Sequence, residues 1–197
     1  MPRILSPWQK DVLTEQVNIG FGHAAHVLAD LLGQRIHLEA PQTGVYRRAE
    51  VPAALALALS GEVAAVRQSF HGPMKGSAYL LLEHRHAAIL MDLLFGGSGQ
   101  VRRMNASDYE ALTEVGNIVL NAFLGTMSNL LHLRFTLMLS KFDLKPLDDL
   151  FPADDDETYM VVIKTRFRIA TSRIDGYLVL LLGGASLQIL IQAIDNL

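Results

Sequence analysis

The stretch Leu13-Thr14-Glu15-Gln16-Val17-Asn18-Ile19 returns, a little under a hundred residues later, as Leu112-Thr113-Glu114-Val115-Gly116-Asn117-Ile118, with Leu, Thr, Glu, Asn and Ile in the same places. Self-similarity over such a period marks a chain built from two like units. A second match, Gly76 to Leu82 against Gly176 to Leu182, keeps nearly the same separation, so the repetition extends over most of the chain. The seam falls at Phe95-Gly96-Gly97-Ser98-Gly99, glycine-rich as a connection between units is. A single domain is therefore expected over 1–197, made of two repeats at about 8–95 and 105–197 joined at 96–99.

Around each copy of the repeated stretch, apolar residues recur with helical spacing, which predicts long helices over Trp8 to Leu32 and Ala106 to Leu131, with Asn105 as the cap of the second. The first half continues as a strand at Arg35 to Glu39 and a short alanine- and leucine-rich helix after Pro52. Strands follow at Glu62 to Phe70 and Ser77 to Glu83, joined as a hairpin by His71-Gly72-Pro73-Met74-Lys75-Gly76, and a helix at Arg85 to Leu94 closes the unit. The second half gives strands near Arg134 to Ser140, Thr158 to Arg168 and Gly176 to Leu182, then a helix from Ser186. Its acidic loop Asp148 to Glu157 stands where the first half has the Pro52 helix, so the halves are expected to differ there. Strands in hairpins flanked by helices argue for an α+β fold: a largely antiparallel sheet of pseudo-twofold arrangement with the two long helices packed across it.

Composition narrows the chemistry. With 197 residues the chain buries a core without staples, and the absence of cysteine removes disulfides, thiolate-bound metals and thiol nucleophiles. Half the residues are hydrophobic, but the apolar runs are too short for a bilayer: Leu178 to Leu182 stops at Gly183-Gly184, and Ala87 to Phe95 carries Asp92. No membrane insertion is expected. The start of the chain has no apolar signal core, which makes the cytoplasm the default location. A net charge of −3 with scattered arginines gives nucleic-acid binding little support.

On an ideal helix, Leu13, Val17, Phe21, Ala24, Leu28 and Leu31 gather on one side and are expected to face the core. Asp11, Glu15, Asn18 and Gly22 form a stripe on nearly the opposite side. The second helix repeats this, with Leu112, Val119, Leu120, Phe123, Met127 and Leu130 inward and Glu110, Glu114, Asn117 and Asn121 outward. Surface Glu and Asn are ordinarily only solubilising. Their repetition at one spacing argues otherwise, because Asn is a mediocre helix former with no reason to stand mid-helix twice. An amide is too weak a base to take a proton, but it donates and accepts hydrogen bonds and so can orient water, which is a large part of what phosphoryl transfer asks of a protein. The carboxylate suits docking to a cation beside the phosphate.

The arrangement Asp11-x-x-x-Glu15-x-x-Asn18 resembles the signature of the CheC/CheX/FliY family of bacterial chemotaxis phosphatases: Asp or Ser, three residues, Glu, two residues, Asn. Asn18-Ile19-Gly20, Ala24-Ala25 and the strand-then-helix ending of each half add to it, and the presence of two copies points to CheC rather than CheX. Glu110 stands where the second copy would have Asp or Ser. The resemblance implies hydrolysis of the aspartyl phosphate of a CheY-like response regulator that brings its own Mg²⁺ and lysine, with no cofactor of the chain's own. Glu15 and Glu114 would pair with that lysine, and Asn18 and Asn117 would orient the attacking water. Asp11, Gly22, Glu110 and Asn121 would flank the contact with the partner, and CheD is a further candidate partner. Gly22, Ala25 and Ala29 are small enough to let a partner close in.

Other constellations carry less. His23 and His26 lack a third ligand, and no metal site is expected. His84 and His86 sit at a strand-to-helix junction and are expected to be exposed. Asp154-Asp155-Asp156-Glu157 lacks the spacing of a calcium loop and reads as solvated. The rival function is a non-catalytic module that holds a response regulator or a flagellar switch component on the same helices.

Overall fold

The computed structural model describes residues 5–39, 42–56, 59–152, 158–169 and 172–197; the acidic run Asp154 to Glu157 lies outside them. The long helices are α1, Pro7–Leu32, and α4, Ala106–Leu130. Ser6 starts α1 with a reciprocal cap: its hydroxyl accepts the Gln9 N–H at 3.1 Å, and Gln9 Oε1 accepts the Ser6 N–H at 2.9 Å. Gly33, at φ 61°, ends it in the left-handed conformation that glycine takes without penalty. Asn105 caps α4 in the same way, with Asp108 reaching back to the Asn105 N–H at 2.8 Å.

The strands are β1 (Ile36–Leu38), β2 (Gln42–Arg47), β3 (Val63–His71), β4 (Gly76–Glu83), β5 (Thr136–Leu137), β6 (Lys141–Lys145), β7 (Thr158–Ile169) and β8 (Ser172–Gly183). All their pairings are antiparallel, in the order β1-β7-β8-β4-β3-β5, with β2 added to β7 and β6 to β3. Exchanging β1, β2, β3 and β4 for β5, β6, β7 and β8 reverses this order and leaves it otherwise unchanged. The central pairing obeys the same exchange: Gly76 faces Leu182, and Leu82 faces Gly176. The small strands of each half add to the hairpin of the other half.

Four helices lie on one face: α1, α4, α3 (His84–Leu94) and α6 (Gly184–Asp195). Leu13, Val17 and Phe21 of α1 and Leu112, Leu120 and Phe123 of α4 share that core with Val66, Leu80, Ile163 and Leu178 of the sheet. The alternate residues Val63, Ala65, Tyr79, Leu81, Met160 and Val179 face the other way, under α2 (Val51–Leu55), α5 (Leu147–Leu150) and Phe151. Both faces are covered, which explains why the central strands are apolar along nearly their whole length. The long helices touch through Phe21 and Phe123, whose ring centroids are 5.7 Å apart, and a Cβ on Gly20 would stand 3.1 Å from the Phe123 ring. Truncating Phe123, fully buried there, to alanine removes on the order of 3–5 kcal/mol.

Several elements differ from the sequence expectation. Strand β2 is additional, formed by a segment interrupted by Gly44 that finds its partner only in the distant β7. The expected strand at Arg134 to Ser140 shortens to β5, and β6 follows it as a separate strand along β3. The segment at Asp148 opens as the helical turn α5, in the place of α2, so the halves are more alike there than expected. Leu31 is 45 % exposed, since the last turn of α1 runs beyond the core, and His86 is buried, its Nδ1 accepting the Asp175 N–H at 3.3 Å.

Candidate functional site

The repeated residues have separable roles. Leu13 and Leu112 are core. Thr14 and Thr113 turn their hydroxyls back onto the helix, donating to the carbonyls of Lys10 at 2.8 Å and Tyr109 at 2.7 Å. The glutamate and asparagine of the first copy have no such use. Asp11, Glu15, Asn18 and Gly22 are all exposed, and among the described residues none of the three polar side chains forms a hydrogen bond or ion pair. Ile19, 44 % exposed, adds an apolar flank. A Cβ on Gly22 would meet nothing within 4 Å, so packing does not require glycine there. This helix presents a bare carboxylate and a bare amide beside a surface without bulk.

The second copy is built differently. Glu110, Glu114 and Asn121 are exposed, but Asn117 is half-buried rather than turned to solvent. Its Oδ1 accepts from Ser140 Oγ at 3.0 Å and from Gln68 Nε2 at 3.3 Å, while Asn121 Oδ1 accepts from Gln68 Nε2 at 2.8 Å. Gly116 makes this possible: a Cβ there would lie 2.6 Å from three atoms of Val66, so only glycine lets α4 settle this close to β3. The connection 138–140 between β5 and β6 then reaches the helix, with Leu139 at its tip 90 % exposed.

Sequence reasoning missed Gln68 and Ser140. Gln68 did leave a signal, as it shares the strand face of Ala64, Val66 and Phe70, where a polar residue needs a reason. Missed too was the clamp at the seam. Asp108, 2 % exposed, accepts from both terminal nitrogens of Arg102, at 2.7 and 2.6 Å, while Asp92 lies 3.6 Å from Arg102 Nε and accepts the N–H groups of Gly99 and Gln100, each at 2.9 Å. The Arg102 guanidinium holds the Asp108 carboxyl below its ordinary range against the opposing effect of burial. The group fixes the entry to α4, and its role is structural.

Among the described residues no three His, Asp or Glu side chains gather as a metal site would need, and no helix is long and apolar enough to cross a membrane. His23 Nδ1 lies 3.2 Å from Thr126 Oγ1, and His26 sits 3.7 Å from Asp30 on the surface.

A family model described as the CheC-like family matches residues 9–45, which hold all of α1 from its second turn and the whole of the first motif. The flagellar motor switch phosphatase FliY of Bacillus subtilis is 28 % identical over 141 residues, covering 72 % of this chain and 34 % of that protein. The chain thus spans about a third of the length of the curated relative it matches. The crystal structure of Thermotoga maritima FliY superposes with a TM-score of 0.82 at 24 % identity, covering 98 % of each chain. In fold, and along its first helix, the chain is similar to the CheC/CheX/FliY proteins. Two further structures show the breadth of this CheC-like fold. The FliG–FliM complex of H. pylori matches at a TM-score of 0.73 and 12 % identity, over 95 % of this chain and 100 % of that one. The CheX–CheY–BeF3–Mg²⁺ complex of Borrelia burgdorferi matches at 0.52 and 16 %, over 84 % and 97 %. The CheC-like match falls on the helix whose motif is exposed and complete, and the half-buried second motif lies outside it.

Proposed function

We propose that the chain hydrolyses the aspartyl phosphate of a CheY-like response regulator. One observation carries this: Glu15 and Asn18 stand exposed with no intramolecular partner, on a helix whose repeated Leu13 packs in the core and whose repeated Thr14 bonds back to the helix. The relative named a phosphatase and the complex of CheX with CheY support the same reading.

In this mechanism the regulator brings the acyl phosphate, the Mg²⁺ that neutralises its oxygens, and a lysine. Glu15 pairs with the lysine and fixes the approach of α1. The absence of side chains at Gly22 and the small Ala25 let the helix come close enough for Asn18 to enter the site. The Asn18 amide holds a water in line with the phosphorus. The water oxygen bonds to phosphorus as the phosphorus–oxygen bond to the aspartate breaks, regenerating the carboxylate and releasing inorganic phosphate together with the water's proton. Glu114 and Asn117 offer the same pair on α4. The chain supplies position and charge and no covalent chemistry.

Loss of the phosphoryl group from a phosphorylated regulator in Mg²⁺ is the direct assay. Losing a single positioned hydrogen-bonding group costs about 10²-fold, so with a like pair on α4 it is the double Asn18→Ala, Asn117→Ala variant that is expected to slow the reaction by that order. No acceleration by the unmutated chain on any of its native regulators would sink the reading, and a double Asn18→Ala, Asn117→Ala variant at full rate would sink the residue assignment.

The likeness to a FliM structure favours one alternative, a switch module that binds without hydrolysis. Such a module would hold the regulator equally well before and after both asparagines are replaced and would leave the phosphate's lifetime unchanged.

A further inference from the structure

The buried amide cluster behind the second motif sets the two sites apart, and the inference drawn from it rests on the phosphatase reading. Gln68 is 2 % exposed, and its Nε2 lies 3.1 Å from the Met138 carbonyl oxygen, an acceptor whose identity is not in doubt. That contact fixes which end of the Gln68 amide faces α4: its nitrogen does. Groups meeting that nitrogen must present oxygen, so Asn117 and Asn121 both turn Oδ1 inward. Gln68 Nε2 has two hydrogens for three acceptors, Asn121 at 2.8 Å, Met138 at 3.1 Å and Asn117 at 3.3 Å, so it shares one with Asn117, and the closer donor to that oxygen is Ser140 Oγ at 3.0 Å. What Asn117 has left to offer outward is its NH₂ group.

A water that attacks phosphorus must keep a lone pair free for the new bond, so the useful contact to it is an acceptor that takes one of its protons. Asn18, with no partner, can turn its oxygen to that task. Asn117 cannot while Gln68 and Ser140 hold it. Its N–H groups suit the phosphoryl oxygens instead, an interaction made in the bound ground state as well as in the transition state, which raises affinity more than rate.

We propose that Gln68 and Ser140 are positioning residues that clasp Asn117 with its oxygen turned in, so that the second site holds phosphoryl oxygens while the water-orienting step falls to Asn18. The clasp predicts a gain of rate on removal, which loss of structure does not produce. In an Asn18→Ala chain, where only the second site works, adding Ser140→Ala or Gln68→Met is expected to raise kcat about fivefold, the factor one net hydrogen bond is worth. KM for the phosphorylated regulator should rise or stay level. Ser140→Thr, which keeps the hydroxyl, should keep the low rate, and in an Asn18→Ala, Asn117→Ala chain the effect of Ser140→Ala should vanish.

A second measurement does not depend on activity. The side-chain NH₂ of Gln68 should be protected from exchange with solvent in an amide NMR spectrum, whereas that of Asn18 exchanges freely. A kcat that falls or does not change in the released variants, with the fold intact by thermal melting, would overturn the clasp. An unprotected Gln68 NH₂ would do the same. No acceleration by the unmutated chain would overturn the phosphatase reading, and a fully active chain lacking both asparagines would overturn the residue assignment, outcomes distinct from a failure of the clasp alone.

Discussion

Replacing Gly116 by alanine tests the packing that underlies the second site. The new Cβ would sit 2.6 Å from Cβ, Cγ1 and Cγ2 of Val66, where ordinary contact begins at 3.4 Å, so helix and strand must separate by most of an ångström. Val66 cannot turn away: it is 1 % exposed, branched at Cβ, and all three of its carbons meet the intruder together. Overpacking of this kind costs about 1–3 kcal/mol, and the better helix propensity of alanine returns about 1 kcal/mol. The net is a loss of about 1 kcal/mol, which for a chain of this size lowers Tm by about 2–4 °C. Gly125, farther along the same helix, would meet nothing within 4 Å, so alanine there should raise Tm by a similar amount. Thermal unfolding of the two variants beside the parent measures both shifts. If Gly116→Ala stabilised as much as Gly125→Ala, α4 would not be seated on β3 as described, and the hydrogen bonds from Gln68 to Asn117 and Asn121 would lose their basis.

Gly22→Ala, also in open space mid-helix, should raise Tm by a few degrees, yet it should raise KM for a phosphorylated regulator if the partner closes in beside Asn18. Asn18→Ala should leave stability within about 0.5 kcal/mol, because the side chain is exposed and unbonded; a marked loss would mean that the residue is structural. Asp108 has a carboxyl held below its unfolded value, so its contribution to stability is present above about pH 4 and is lost as pH falls through the lowered folded value. The Tm gap between the parent and Asp108→Asn should therefore be widest near neutral pH and close in acid; a gap independent of pH would remove the ion pair with Arg102 from the account.

Both long helices, the cap at Asn105 and the central strands follow from signals within a short window, helical spacing, a capping residue and apolar runs broken by glycine, whereas the cap at Ser6 went unread. The segments that escaped are those whose structure is decided by remote partners. Gln42–Arg47 becomes a strand because β7 lies beside it, and Lys141–Lys145 because β3 does. The first motif was legible in full, since an exposed stripe on an isolated helix face is a property of that helix alone. The second was legible only in its residue types. That Asn117 is half-buried depends on Gly116, Val66, Gln68 and Ser140 meeting in space, and helical periodicity contains no information about a strand and a loop arriving from elsewhere.

The exchange of small strands between the halves also orders events in time. As the chain leaves the ribosome, β3 and β4 can close their hairpin at once, but Gln42 must wait for Lys164, and Val63 on its outer edge for Lys145. Until the last hairpin emerges, the first half carries unpaired sheet edges and a helix whose apolar side is only partly covered, which is the condition in which chaperones bind and chains aggregate. Neither motif can therefore be presented on its finished scaffold before β7 and β8 have emerged, and the chain acquires both helix faces for its partner in one step.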